Sequence, residues 1–213
     1  MDIAILGTGN VGSTLGPAWA RAGHTIVYGS RTPDSASVRE LVELTDRSAG
    51  PGSAHAARAL LPAQAAAQAD TLLLATPWRV ARDYLVGLGD LSGKVLLDAT
   101  NAIQERPQGA ASSAELLARA LPGTHVVKAF NCIGTSGMAD PHFAGQAASL
   151  FLAGDDPGAK GRAAGLARDL GFEVVDCGGL GAAEQLEHLA RLWVHLAYGL
   201  EHGPDIAFTL LQR

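Results

Sequence analysis

A glycine-rich segment near the start of the chain constrains the fold more than any other feature. Residues 7–12 read Gly-Thr-Gly-Asn-Val-Gly, between an apolar run over residues 1–6 and helical apolar spacing over residues 10–22. Between a strand and a helix, the first glycine permits a tight turn, the second lets a pyrophosphate approach the backbone, and the third allows close helix packing. Free N–H groups at the helix start attract the anion. The segment predicts a dinucleotide-binding turn formed by Gly7, Thr8, Gly9, Asn10, Val11 and Gly12.

Apolar runs and helical stretches alternate along the remaining chain. Strands are predicted over residues 25–28, 71–75, 94–98, 124–129, 148–153 and 172–176. Helices are predicted over residues 35–47, 62–68, 112–120, 157–170 and from Trp78 onward. The alternation predicts an α/β fold with a Rossmann-type, doubly wound, mostly parallel sheet and helices on both faces. The loop-like stretches 47–53 and 104–113 are too short for linkers. Residues 1–179 are therefore predicted to form the nucleotide-binding domain, and residues 180–213 a helical extension of it.

The C-terminal segment carries an apolar seam at alternating spacings of three and four residues within residues 180–202, which predicts a helix. Its members are Leu186, Leu189, Trp193, Leu196 and Leu200. The seam either packs on its own domain or is shared between two copies of the chain, and we expect a homodimer. Three histidines, His188, His195 and His202, recur every seven residues on this helix. Successive ones lie ~10 Å apart, too far for one metal ion, so no metal site is predicted.

The composition argues against several classes of protein. A formal net charge of −5 disfavours nucleic-acid binding, which usually shows as a clustered basic face. No apolar run approaches the roughly 18 uninterrupted residues of a membrane helix, and the first residues lack the features of a signal peptide. Two cysteines, Cys132 and Cys177, fit a reducing compartment better than a secreted scaffold. We therefore expect a soluble, cytoplasmic protein without a nucleic-acid or membrane partner.

About twenty residues beyond the glycine turn, the chain reads Gly-Ser-Arg-Thr at residues 29–32. An NAD-specific site places an acidic residue here, against the adenosine ribose. Arg31 can instead pair with a 2′-phosphate, and the hydroxyl groups of Ser30 and Thr32 can donate hydrogen bonds to it. The alternative is that Arg31 is only a solvated loop charge. The sequence therefore favours NADP(H) over NAD(H).

Three later turns follow predicted strands, at the edge of the sheet where ligands of doubly wound folds bind. They read Ala-Thr-Pro-Trp at residues 75–78, Asp-Ala-Thr-Asn at 98–101 and Lys-Ala-Phe-Asn at 128–131. The proline can begin a helix whose free N–H groups face a cofactor, and the tryptophan can border a flat ring. Ordinary turn chemistry is the alternative for each. The predicted cofactor contacts in these turns are Ala75, Thr76, Pro77, Trp78, Asn101, Ala129, Phe130 and Asn131.

With these motifs the chain resembles the NADPH-dependent reductases of the deazaflavin coenzyme and the related cytoplasmic domains of six-transmembrane metalloreductases. The resemblance spans nearly the whole chain and rests on residues 7–12, 29–31, 76–78, 127–131 and 192–197. It implies contacts to the NADP phosphates from Thr8, Ser30 and Arg31. It also implies a nicotinamide wall, formed by Thr76, Pro77, Ala129, Phe130 and Asn131. Two residues depart from the family pattern, since Cys132 replaces a small hydroxylated residue and Asp34 stands where basic residues often support the 2′-phosphate.

The resemblance implies hydride transfer between NADP(H) and a small-molecule redox acceptor, a deazaflavin or flavin. This chemistry requires no protein acid or base because the cofactors carry it. If a proton donor takes part, the candidates are Lys128, Asn131 and His195. Two alternatives remain open: an NADPH-dependent reductase of an imine, a ketone or a ferric chelate, and a non-catalytic NADP(H) sensor. Cys132, beside the predicted nicotinamide wall, is either a packed or a reactive thiol.

Overall fold

The computed structural model describes residues 1–50, 55–103 and 107–213. Short strands are spread along this whole region. They are β1 (Asp2–Leu6), β2 (Thr25–Gly29), β3 (Arg58–Leu60), β4 (Thr71–Leu74), β5 (Val95–Asp98), β6 (His125–Lys128), β7 (His142–Phe143), β8 (Gln146–Ala147), β9 (Ser149–Gly154) and β10 (Glu173–Asp176). Eight of them form one sheet in the order β10-β9-β6-β5-β4-β1-β2-β3, and β7 and β8 form a separate hairpin.

Helices connect the strands and cover the sheet. They are α1 (Asn10–Arg21), α2 (Ala36–Ala49), α3 (Pro62–Ala67), α4 (Trp78–Val86), α5 (Ser113–Ala120), α6 (Thr135–Ala139), α7 (Pro157–Arg168) and α8 (Ala183–Val194). Alternate residues of β1 point to opposite sides: Ile3 and Ile5 pack with Leu15 of α1, whereas Ala4 and Leu6 belong to a second apolar cluster that includes residues of α4 and α5. Burial of both sheet faces under helices is typical of doubly wound folds. The predicted fold class is confirmed.

Strand β9 runs antiparallel to β6, whereas the other neighbouring strands described in the sheet pair in parallel. Val127 pairs with Gly154 and Lys128 with Ala153, so the two strands meet near the carboxyl end of β6. The connection holds only α6 and the β7–β8 hairpin, and an antiparallel return needs no long crossover helix.

Three short elements, β3, α6 and the hairpin, are absent from the sequence prediction. Elements of two to five residues do not repeat an apolar period, so no pattern reveals them. The loop predicted over residues 47–53 is shorter than expected because α2 continues to Ala49. Residues 51–53 of that loop, and residues 104–106 of the loop over residues 104–113, lie outside the described residues.

The C-terminal segment is helical as predicted, but it combines three helix types. A 3-10 turn over Leu180–Ala182 leads into α8, and a π-helical turn over His195–Gly199 follows it. The helix ends before His202 because Glu201 adopts a φ of 57° and the N–H of His202 donates back to the carbonyl of Leu196. Within the seam, Leu186 and Trp193 are buried in their own chain, whereas Leu200 is 53% exposed.

Candidate functional site

The glycine turn joins β1 to α1 with very little space around two of its glycines. Gly7 has a φ of 123°, and a Cβ atom on it would lie 2.5 Å from the carbonyl oxygen of Ala75. A Cβ on Gly12 would lie 2.1 Å from the carbonyl oxygen of Gly7. Beside Gly9, in contrast, no heavy atom of the described residues lies within 4 Å of the added Cβ. Gly9 begins α1 without a side-chain cap from the described residues, which leaves backbone N–H groups of the first turn for an anion.

A groove of about 280 Å³ starts at this turn and follows the carboxyl ends of β1, β2 and β4. Nine residues predicted from the sequence line it: Gly7, Thr8, Gly9, Ser30, Arg31, Thr32, Ala75, Thr76 and Pro77. Three further lining residues were not predicted, namely Gly29, Pro62 and Tyr84. Tyr84 lies within α4, and no local motif marks it. The topology alone brings its ring to the groove.

The far end of the groove is formed around Arg31. This side chain is exposed, and neighbouring Ser30 is buried with its hydroxyl oxygen accepting a hydrogen bond from the N–H of Thr32 at 3.2 Å. Burial raises the pKa of Tyr84 to about 12, and the nearby Arg31 guanidinium acts in the opposite direction. No acidic side chain of the described residues lines the groove. Its charge therefore suits an anionic ligand.

A second cavity, of about 400 Å³, adjoins the groove and shares Thr76 and Pro77 with it. Its lining residues are Thr76, Pro77, Trp78, Arg79, Thr100, Asn101, Ile103 and Val194. The Thr76 hydroxyl is buried at this border and has no hydrogen-bond partner within the described part of the chain. A buried hydroxyl without a partner is costly, so a bound ligand can satisfy it. The border of the two cavities can therefore bind a polar group of a ligand.

A larger cavity, of about 700 Å³, lies between β10 and the C-terminal residues 209–212. None of its lining residues belongs to the glycine turn or to the three predicted turns. We assign the candidate site to the two smaller cavities because they lie at the carboxyl ends of parallel strands, where this fold binds ligands.

Comparison with known proteins identifies the family. A family model described as NADP oxidoreductase, coenzyme F420-dependent, matches residues 2–102. The F420-dependent NADP reductase of Methanothermobacter marburgensis is 32% identical, over 92% of each protein. The chain belongs to this family.

Two further proteins are similar to this chain. A solved structure from Arthrobacter sp., described as a candidate F420-dependent NADP reductase, is 31% identical with a TM-score of 0.84 and covers 99% of each chain. The metalloreductase STEAP3 of Rattus norvegicus is 31% identical over 87% of this chain, but the match spans only 35% of that protein. Both resemblances predicted from the sequence motifs are confirmed.

In this member of the F420-dependent family, two asparagines join the carboxyl ends of β5 and β6. The side-chain amide of Asn101 donates to the carbonyl oxygen of Asn131 at 2.8 Å, and that of Asn131 donates to Asn101 Oδ1 at 2.9 Å. Asn131 also donates to the carbonyl oxygen of Leu186 on α8 at 3.1 Å. Asn101 lines the second cavity, whereas Asn131 is buried behind it. The pair fixes the turns that border this cavity.

Lys128, a candidate proton donor, is fully buried in a cluster of polar groups. Its ammonium nitrogen lies 3.0 Å from Asp98 Oδ2, 3.1 Å from Glu187 Oε1 and 2.7 Å from the hydroxyl oxygen of Ser113. It also donates to the carbonyl oxygen of Thr100. These partners occupy the donor capacity of the ammonium, and Lys128 lines neither cavity.

The other predicted site residues lie farther from the two cavities. His195 is exposed on the π-helical turn, and it lines neither cavity. The Phe130 ring packs edge-to-face against Trp19 and Phe172 in the core, at centroid distances of 5.5 and 6.1 Å. The structure places the remaining predicted residues, Asn10, Val11, Gly12 and Ala129, outside the lining of both cavities.

Cys132 has the environment of a packed thiol. It is buried and donates to the carbonyl oxygen of Leu186 at 3.1 Å. Burial raises its pKa to about 12, although the Lys128 charge acts to lower it. At neutral pH the thiol is therefore protonated, which argues against a nucleophilic role.

Two further kinds of feature are absent from the residues that the structure describes. Within residues 1–50, 55–103 and 107–213, no helix is long and apolar enough to cross a membrane. The same residues hold no group of three or more His, Cys, Asp or Glu side chains placed to bind a metal ion.

Proposed function

We propose that this protein transfers hydride between NADP(H) in the groove and a deazaflavin or flavin-like acceptor in the adjoining cavity. The observation that carries the proposal is the shared border at Thr76 and Pro77. A nicotinamide ring at this border would present one face to the second cavity. The name of the Methanothermobacter relative, F420-dependent NADP reductase, supports a deazaflavin as the acceptor.

The residues around the groove fit NADP(H). The open space at Gly9 and the uncapped start of α1 suit a pyrophosphate. Arg31, with the hydroxyl groups of Ser30 and Thr32, suits a 2′-phosphate. The Thr76 hydroxyl, which has no partner among the described residues, suits a polar group near the nicotinamide. When bound, NADP(H) would supply a hydride with its electron pair, and the flavin-like ring would accept it together with a proton from solvent.

The second cavity fits an acceptor that needs no proton from the protein. Trp78, Ile103 and Val194 give it apolar walls, and Arg79 and Asn101 add polar groups. None of its described lining residues is a histidine, a cysteine, a lysine or an acid. Reduction of an imine or a ketone usually requires such a donor, and the candidates Lys128 and His195 lie outside the lining. These observations favour a flavin-like acceptor over the imine and ketone alternatives.

Anaerobic mixing of the protein and NADPH with single acceptors tests the proposal. We expect the absorbance of NADPH to fall with coenzyme F420, and more slowly or not at all with riboflavin, FMN, a cyclic imine, a ketone or a ferric chelate. Fast turnover of an imine, a ketone or a ferric chelate alone would contradict the acceptor class. Tight NADPH binding with no turnover of any acceptor would favour a sensor.

We further propose a homodimer formed through the end of α8 and the residues that follow it. Several large apolar side chains there are exposed: Leu192 by 46%, Tyr198 by 63%, Leu200 by 53% and Leu211 by 75%. Exposed apolar patches mark association sites, and we propose that these side chains form one. Sedimentation velocity on the wild type and on Leu200→Arg tests this, and a monomeric wild type would contradict it. The cytoplasmic location stays a prediction.

A further inference from the structure

Glu187 of α8 is a buried carboxylate that the proposed reaction does not use. Only 2% of the residue is exposed, which is rare for a glutamate unless it is paired. Its Oε1 atom accepts hydrogen bonds from the N–H of Ser113 at 2.8 Å and from the Ser113 hydroxyl at 2.6 Å. The same atom lies 3.1 Å from the Lys128 ammonium nitrogen. One carboxylate therefore joins α8 to α5 and to β6.

Glu187 finds the donors that it needs only at its present position. Glu187 and Asp98 are two acids for the single ammonium of Lys128. The N-terminus of α5 supplies the remaining positive potential, because Ser113 is its first residue and donates its N–H to Glu187. A rotation or a one-turn shift of α8 would remove the carboxylate from all these donors. Buried ionic groups can specify register in this way.

The same helix carries groups that border the second cavity. Beside Glu187, the carbonyl oxygen of Leu186 accepts from the Asn131 amide at 3.1 Å. About one turn later, Arg191 donates to the carbonyl oxygen of Ala102 at 3.4 Å. About two turns later, Val194 lines the second cavity. Glu187 and Val194 are seven residues apart, so they lie on a similar face, separated by ~10 Å along the axis. The position of the cavity wall thus depends on where Glu187 is held.

We propose that Glu187 is a positioning residue for the acceptor: through Ser113 and Lys128 it fixes α8, and thereby the Val194 wall and the Asn101–Asn131 pair. The inference rests on the proposed function for the identity of the acceptor site. Glu187 lines neither cavity, so it acts through other residues. No member of the cluster lines the groove. A change at Glu187 is therefore expected to alter acceptor turnover and not the affinity for NADP(H).

Three variants test the positioning role. Glu187→Ala removes the carboxylate, Glu187→Gln keeps its shape and one accepting oxygen, and Gln185→Ala changes an exposed side chain of the same helix as the control. For Glu187→Ala we expect kcat to fall and KM for the acceptor to rise, together lowering kcat/KM by about tenfold or more, since small misplacements of reacting groups are costly. We expect Glu187→Gln to recover part of this loss and Gln185→Ala to match the wild type. The Kd for NADPH is expected to stay within about twofold in all three.

The measurements separate this inference from the proposed function. A wild type that reduces no deazaflavin or flavin contradicts the proposed function, whatever the variants do. The fluorescence of bound NADPH, which reports the surroundings of the nicotinamide, then tests Glu187 without any acceptor. We expect altered emission in Glu187→Ala and unchanged emission in Gln185→Ala. Wild-type kinetics and emission in folded Glu187→Ala, or in Glu187→Gln if the alanine variant does not fold, would overturn the inference. So would a parallel loss of NADPH affinity and acceptor turnover, which indicates a merely structural role.

Discussion

Arg31 gives the groove its only described basic side chain, and its removal tests the preference for NADP(H). We expect Arg31→Ala to weaken NADPH binding by about tenfold to a hundredfold, because a charged hydrogen bond contributes roughly 1.5–3 kcal/mol. NADH lacks the 2′-phosphate, so its affinity is expected to change little. Isothermal titration with both cofactors measures the two effects. Arg39→Ala, an exposed change on α2 outside the groove lining, is the control. Equal losses for NADPH and NADH would contradict the role of Arg31.

Thr76 combines a buried hydroxyl without a described partner and a place at the border of both cavities. Thr76→Val keeps the shape of the side chain and removes the hydroxyl. Since an unsatisfied hydroxyl destabilises the folded state, we expect an unchanged or higher Tm without ligand. We also expect a lower rate of hydride transfer, measured by stopped-flow absorbance. A clear loss of Tm with an unchanged rate would show that the hydroxyl serves folding instead.

The buried environment of the Cys132 thiol predicts that it is alkylated slowly. With its pKa raised to about 12, the group stays protonated at about pH 8, and only its thiolate reacts quickly with iodoacetamide. We expect half-buried Cys177 to be alkylated before Cys132 in the folded protein, and both to react in urea. Peptide mass spectrometry over time measures the order. Rapid labelling of Cys132 in folded Cys177→Ser would contradict the packed environment.

In the turn between β1 and α1, we expect one glycine to be required for folding and another for cofactor binding. A Cβ on Gly12 would overlap the Gly7 carbonyl oxygen, whereas a Cβ on Gly9 would have no heavy atom of the described chain within 4 Å. We therefore expect Gly12→Ala to lower Tm, and Gly9→Ala to keep Tm but weaken NADPH binding by filling the approach of the pyrophosphate. Thermal unfolding and cofactor titration of the matched pair test this. Similar behaviour of both variants would show that the turn does not divide these roles.

Elements formed by contiguous residues could be predicted from the sequence. The glycine turn, most strands and helices, and nine lining residues of the groove follow from local patterns, because strand, turn and helix periods are set by neighbouring residues. The reversed direction of β9 could not be predicted, since register between strands depends on how the connecting segment packs. The same limit applies to α6, which is too short to show an apolar period.

Local sequence patterns also could not predict the side chains that reach the site from distant segments. Tyr84 comes to the groove from inside α4, and Val194 comes to the second cavity from α8. Glu187 reads in the sequence as an ordinary helix residue, yet it is buried against Lys128 and Ser113. Conversely, Lys128 reads as a donor toward the cofactor, and the fold surrounds it with acids. The surroundings of these charged residues depend on tertiary contacts, which the spacing of residues along the sequence does not reveal.

At the scale of the molecule, His24 links two regions that lie far apart in the chain. Its Nε2 atom lies 3.0 Å from Asp169 Oδ2, just beyond the end of α7. Burial lowers the pKa of His24, and the hydrogen bond to Asp169 opposes this only in part. The unfolded chain therefore binds a proton more readily than the folded one, so this contribution is present above about pH 6.5 and is lost on acidification below it.

We accordingly expect the free energy of unfolding to fall between about pH 7 and pH 5, and to fall less in His24→Gln. Urea unfolding followed by circular dichroism at several pH values measures both slopes. His125→Gln, which changes an exposed histidine at the start of β6, is the matched control. Equal slopes in the wild type and in His24→Gln would contradict the assignment.

The shared border of the two cavities has a consequence for how proteins of this kind diversify. Beyond Thr76 and Pro77, the two cavities share no lining residue. The groove draws on the turns after β1, β2 and β4, with Pro62 and Tyr84, and the second cavity draws on the start of α4, the turn after β5, and α8. Under the proposed function, selection, natural or in the laboratory, can therefore change Trp78, Ile103 and Val194 without changing the nucleotide preference. We expect such an architecture to let one electron carrier replace another while the residues around the nucleotide stay the same.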